Sequence, residues 1–356
     1  MSKYRFDHID RCQNVQNLKR LPIPGRLRRR IERQWLIGRA IKRRHTLMLL
    51  TDRTKQIAPR DILVFVTQRN ERVRLPYFLD YYRKLGVRHF LFVDNNSDDG
   101  STEYLCEQPD VSLWWTKASY KQSRFGMDWL GWLLFRYGHG HWCLTVDPDE
   151  FLVYPRCDDR PLTALTDWLA DSGRRSFPAM LLDMYPKGAL DEKIYREGQN
   201  PFEIARWFDP ANYSMRKNSY LGNLWIQGGP RTRTFFSYDP KSGPALNKIP
   251  LVNWNRRYVY YSSTHMLLPR SLNWVYDEDG GEMASGCLLH AKFLSTFADK
   301  SAEELDRGQH YANSQEYRAY HAGLQEGAHL WCSESREYQD WRQLEDLGLI
   351  SSGNWP

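Results

Sequence analysis

The segment Asp147-Pro148-Asp149-Glu150 places three acids directly after an apolar run, Trp142 to Val146. In extended chain, residues two apart point to the same side. The carboxylates of Asp147 and Asp149 can therefore act together, with Glu150 on the next position. Paired hard oxygen ligands of this kind suit Mg2+ or Mn2+ holding a diphosphate, not a structural zinc. The motifs HExxH, GxxxxGKS/T and GxGxxG are absent, which removes the main support for zinc-protease, P-loop and dehydrogenase readings. Six cysteines (12, 106, 143, 157, 287 and 332) form no CxxC pair and no regular spacing. They read as reduced thiols of a cytoplasmic protein.

Short apolar runs alternating with helical spacing must position those acids. Ile62 to Thr67 (ILVFVT) reads as a buried strand, Leu75 to Leu85 as a helix stopped by Gly86, and His89 to Val93 (HFLFV) as the next strand. Ser112 to Thr116, a helix from Met127 to Arg136 and a strand from Trp142 to Val146 continue the alternation. The pattern implies an α/β fold with a mostly parallel sheet and helices on both faces. Ligands of such sheets bind beyond the carboxyl ends of the strands. Here those ends carry ThrGlnArgAsnGlu, AspAsnAsn and AspProAspGlu. After Met180 to Asp183 the periodicity fades. Strands are expected at Thr232 to Ser237, Arg257 to Ser262 and Cys287 to Phe293, and a helix over 301 to 325. Trp207, Trp225 and Trp254 have the ring surface to stack on sugars, or to fill a core.

Charge is uneven along the 356 residues. The net charge is +7, yet residues 1 to 60 hold 17 Lys and Arg against 4 Asp and Glu, so the first sixty carry +13 and the remainder −6. Residues 26 to 50 read as a basic helix with Leu27, Ile31 and Trp35 on one face. Such a helix can lie on an anionic membrane surface, or pack on the domain with its arginines in water. Nucleic acid is not expected as a partner, because no RNA-binding aromatic signature or zinc-finger spacing accompanies the charge. No apolar run approaches the roughly 20 residues that span a bilayer, and no secretory signal is expected.

Taken together, RNERVRLPYFLDYYRKLGVRHFLFVDNNSDDGS, HGHWCLTVDPDEFLVYP and GCLLHAKFLS, with GGPRTRTFF, NKIPLVNW and STHMLLP between them, resemble the bacterial family 2 type glycosyltransferases of GT-A fold. The resemblance covers roughly residues 58 to 300. It implies a Rossmann-like GT-A domain over 58–300, divided into a nucleotide-sugar half (58–183) and an acceptor half (184–300). A basic helical extension (1–57) would precede it and a helical region (301–356) would follow.

By that resemblance Asp147, Asp149, Glu150 and the distal His290 hold Mn2+ or Mg2+ and the diphosphate of a nucleotide sugar. Thr67, Arg69, Glu71, Asp94 and Asn96 match positions that hold base and ribose, although Asp94 and Asp99 also suit bonds within their own turn. Arg124 matches a basic position near the nucleotide. Arg231, Arg233 and Lys248 can add positive charge at the leaving diphosphate. An inverting transfer needs a carboxylate base, for which Asp183 and the loop acids Asp277, Glu278 and Glu282 are the candidates. The implied activity is sugar transfer from a nucleoside diphosphate sugar to a glycan or lipid-linked acceptor in surface polysaccharide synthesis, at or near the inner membrane face. A nucleotidyltransferase would use the same sheet and acids, but ThrGlnArgAsnGlu lacks the glycines of its phosphate loop. A non-catalytic glycan- or membrane-binding protein on a degenerate transferase fold is the third reading.

Overall fold

The computed structural model describes residues 25–276, 281–308, 318–323 and 329–356. The first half of the chain supplies strands β1 (Met48–Thr51), β2 (Leu63–Gln68), β3 (His89–Asp94), β4 (Val111–Trp115), β5 (Trp142–Thr145), β6 (Glu150–Val153) and β7 (Ser176–Asp183). The second adds β8 (Trp207–Phe208), β9 (Tyr213–Lys217), β10 (Leu224–Gly228), β11 (Asn247–Asn253), β12 (Val259–Ser262), β13 (Met266–Leu268), β14 (Gly286–His290) and β15 (Arg336–Glu337). Nine strands form one sheet in the order β1-β4-β3-β2-β5-β11-β7-β14-β6. Strands β2, β3, β4 and β5 pair in parallel, as do β7 and β14. Only β1, β11 and β6 run against them. The fold is α/β, with a mostly parallel, Rossmann-like sheet.

Continuous apolar strands need cover on both faces, and alternate residues find it. Val64, Val66, Phe90 and Phe92 pack with Leu75, Phe78, Leu79 and Tyr82 of the helix Leu75–Lys84. Leu63, Phe65, Leu91 and Val93 pack with Trp129, Leu130, Leu133 and Leu134 of the helix Met127–Tyr137.

Three elements differ from the sequence reading. The basic helix spans Gly25–Arg43, not 26 to 50, because the apolar residues after it pair with the free edge of β4 as β1. Its inward face is also turned one position, to Glu32, Leu36 and Ala40, leaving Leu27 49% exposed. Polar anchors explain the turn: Tyr220 donates to Glu32 at 2.6 Å, and Arg39 meets the buried Asp128 at 2.7 Å. The helix is therefore packed on the domain, and no described helix is long and apolar enough to cross a membrane. Secondly, Thr232 to Ser237 is not a strand; the helix Gly229–Phe235 starts with Pro230 in its first turn, where proline fits. Lastly, the helix expected over 301 to 325 is Phe297–Arg307, with a further helical stretch at 318–323. Much of the remainder of that expectation lies outside the described residues.

Asp128 stands in the first turn of its helix, where a negative charge is favoured, and it faces both Arg39 and Arg124. Asp128→Asn keeps the shape and removes the charge. Faster tryptic cleavage within 26–44 is expected in limited proteolysis; an unchanged cleavage rate would show that apolar contacts alone hold the helix.

Candidate active site

Strand register builds the centre of the site. His290 on β14 pairs with Glu150 on β6 and with Asp183 on β7. In-register residues project from the same face of a sheet, so three polar side chains form a row across adjacent strands. The row is pinned by its backbone: Tyr82 Oη donates to Glu150 O at 2.8 Å, and Ala291 N donates to Asp149 O at 2.8 Å.

Within this row His290 bridges two carboxylates. Its Nδ1 lies 2.6 Å from Asp183 Oδ1, and its Nε2 lies 3.3 Å from Asp149 Oδ2. Burial alone would lower the imidazole's pKa, but the charges of Asp149 and Asp183 outweigh it and hold it above its ordinary value. Asp149 responds in the opposite sense. Burial would raise its carboxyl, yet His290 keeps it well below the usual carboxylate range, helped by Arg74 and Lys292.

A lysine organises the other two acids. Lys248 Nζ lies 2.9 Å from Glu150 and 3.9 Å from Asp147. Glu150 is fully engaged, since its second oxygen accepts from Asp147 N at 3.3 Å. Asp147 is different, with a side chain 57% exposed at the mouth of the cluster. Crowding by the surrounding protein and then the charge of Glu150 raise its carboxyl, against the pull of Lys248.

These contacts revise several expected roles. Asp183 is not a free base: His290 binds one oxygen, and Arg231 Nε donates to the other at 2.7 Å. Both charges hold its carboxyl low although burial acts to raise it. Glu150 likewise has a protein partner on each oxygen, Lys248 on one and Asp147 N on the other. Arg231 binds Asp183 through Nε, and Arg233 pairs with Asp209 at 2.8 and 3.0 Å, so both guanidiniums are engaged with carboxylates of the protein. Glu282 is exposed and lines a cavity that Lys248 also lines. Asp277 and Glu278 lie outside the described residues.

The strand ends expected to hold base and ribose are closed on themselves. Asp94 is fully buried and accepts from Ser97 N at 2.9 Å, Thr102 Oγ1 at 3.1 Å and the Gln68 amide. It bonds its own turn, and Asp99 accepts from Ser101 N in that turn and from Arg72 N in the segment after β2. Asn96 occupies a left-handed position with φ 62° in the same turn. Arg69 binds Glu303 at 3.0 Å and the carbonyls of Asn95 and Asn96. Glu71 binds Arg74 at 2.9 Å and Lys300. Thr67 Oγ1 is buried without a partner beside Gly126, where an added Cβ would lie 2.8 Å away. Arg124 donates to the carbonyls of Tyr260 and Tyr261 at 2.9 and 2.8 Å. Trp254 is buried in the core, while Trp207 and Trp225 are half-buried against other apolar clusters.

Sequence reasoning missed Arg74 and Lys292, whose charges act on Asp149, and the reach of the helix Phe297–Arg307 to Arg69 and Glu71 through Glu303 and Lys300. Only the HisAlaLys spacing after β14 hinted at Lys292.

A divalent cation fits part of this arrangement. Asp149 and His290 converge as one oxygen and one nitrogen donor, but among the described residues no group of three or more His, Cys, Asp or Glu could hold a metal ion. That incomplete set suits a cation that takes its remaining ligands from substrate phosphates and water, as Mg2+ and Mn2+ do.

No protein-family model and no curated protein matches the sequence. Among solved structures, one from Bacillus anthracis described as a glucose-1-phosphate thymidylyltransferase in complex with a sucrose aligns with 81% of this chain and 93% of its own. Its TM-score is 0.26 and its identity 8%, too loose a likeness to bear on function.

Proposed function

We propose that the chain is a glycosyltransferase of the family 2 type with a GT-A fold, moving a sugar from a nucleoside diphosphate sugar to an acceptor hydroxyl with inversion. One observation carries this reading. Asp149, just beyond β5, faces His290, the last residue of β14, at 3.3 Å, at the edge where ligands of parallel sheets bind.

Each side chain then has a task. Asp183, locked by Arg231, holds Nδ1 of His290, so that Nε2 faces Asp149. Such carboxylate support is usual behind a histidine ligand. Asp149 and His290 would hold the divalent cation, which when bound acts as a Lewis acid on the charge of the leaving diphosphate. Lys248 keeps Glu150 in place and brings positive charge toward Asp147. Glu282 is the base candidate left among the described residues. It takes the acceptor's proton as the acceptor oxygen bonds to the anomeric carbon, and the bond from that carbon to the diphosphate oxygen breaks with its electron pair.

The first-strand loop offers nothing to a nucleotidyltransferase, because Arg69, Glu71 and Arg74 are committed to ion pairs and no glycine lies among them. The transferase reading is tested by incubating the chain with a panel of nucleoside diphosphate sugars, with Mn2+ or with EDTA. Metal-dependent release of nucleoside diphosphate from one donor is expected. Release of pyrophosphate from a nucleoside triphosphate and a sugar phosphate would refute it.

A further inference from the structure

A cavity of about 100 Å³ opens beside β7 and β11, and Lys248 forms part of its wall. The ammonium of that lysine also touches Glu150 and approaches Asp147. Cavity and acid cluster therefore share one side chain.

The lining is mostly apolar and soft. Met180 and Ile249 come from the sheet, Met215 and Ile226 from the β9–β10 hairpin, and Met283 and Ile350 from segments packed beyond it. Thioethers adapt to irregular aliphatic shapes. The void is somewhat smaller than the roughly 150 Å³ apolar cavity that stays dry and admits benzene, so a narrow aliphatic chain suits it better than a ring.

One polar atom stands out in this wall. Asn223 is 1% exposed and its Nδ2 donates to Leu224 O at 2.9 Å, but its Oδ1 has no hydrogen-bond partner. A buried acceptor left unmade is costly, and a ligand O–H or N–H would satisfy it.

We propose that this cavity receives the aliphatic part of the acceptor, so that the sugar is transferred to an amphiphile whose hydroxyl lies toward Lys248. Calling the ligand an acceptor rests on the transferase reading above. The apolar site itself rests on the lining and on Asn223.

The probes are n-alkyl β-glucosides from methyl to octyl, kept below their micellar concentrations and titrated calorimetrically onto the full chain. Nucleoside diphosphates with Mn2+ are titrated onto separate samples. Affinity is expected to rise about fourfold for each methylene that enters the cavity, then level off once the chain outgrows it. Met215→Asp, at a position 51% exposed, puts a charge at the mouth and leaves the core alone. It is expected to flatten the series. Ile226→Phe fills the void with apolar bulk and is expected to do the same, which keeps the test sound if either variant folds poorly. Equal binding of methyl and octyl glucosides, or octyl binding that survives both variants, would overturn the proposal. Alkyl binding without nucleotide binding would support the apolar site and remove the acceptor role. Nucleotide binding without alkyl binding would leave the transferase reading and refute the cavity's part in it.

Discussion

Asp149→Asn is expected to abolish Mn2+-dependent binding of the donor and to lower sugar transfer by about 10²-fold or more. Loss of groups that merely orient a metal ligand already costs roughly 10–100-fold, and Asp149 is proposed as a ligand itself. The fold should tolerate the change. The Asp149 side chain is 20% exposed, and His290 keeps its bond to Asp183 when Asp149 loses its charge. The variant is expected to stay folded but to melt below the wild type in the absence of ligand, because the His290 contact that holds the Asp149 carboxyl low is lost. Calorimetric titration of donor and Mn2+ checks the binding, and a coupled assay checks the transfer. Wild-type binding in a variant that also transfers sugar would remove Asp149 from the site.

Asp183→Asn is expected to do something different, namely to destabilise the whole protein. Asp183 and Arg231 have side chains only 1% and 4% exposed. Removing one partner of a buried ion pair weakens the compensation of the charge that remains, at a cost of up to about 3–5 kcal/mol. A urea unfolding curve should show the midpoint falling with its slope unchanged. Arg231→Met should cost a similar amount. The double replacement should recover part of the loss, because neither charge is then stranded. A catalytic base would behave otherwise, giving an inactive protein of wild-type stability. That outcome would return Asp183 to the role of base.

The elements with strong local patterns were legible in the sequence. The apolar runs of β2 and β3 and the helix Met127–Tyr137 carry both their type and their burial in residue spacing. AspProAspGlu was legible too, as paired acids after a strand, whereas His290 became a candidate only through family likeness. What remained hidden depends on partners far away in the chain. The role of Asp183 follows from the register of β7 with β14, which no local pattern encodes. Strand β11 carries Pro250 in its interior, a sign against a central strand. The structure accommodates it where the pairing with β7 shifts, between Lys248 and Leu251. Asp94 shows the reverse limit. Its position at a strand end suggested a ligand contact, yet the short polar residues of its own turn claim both of its oxygens.

The expectation about the N-terminal helix illustrates the same point. Its basic, amphipathic sequence suits a lipid surface or a protein surface equally well. In the structure one face packs on the domain: Leu36 and Ala40 are buried, and Arg39 reaches Asp128. Exposed apolar residues occur just beyond it instead, at Met48, Leu49 and Leu50 of the edge strand β1.

Asp149 and His290 are proposed to bind together a cation that carries the donor diphosphate. The most direct measurement is calorimetric titration of Mn2+ and a panel of nucleoside diphosphates onto wild type, separately and together, repeated with His290→Asn. One nucleoside diphosphate is expected to bind only with Mn2+, each tightening the other by the same factor, and this coupling is expected to vanish in the variant. Nucleoside diphosphate binding with the same affinity in EDTA, or coupling that survives His290→Asn, would contradict the proposed site.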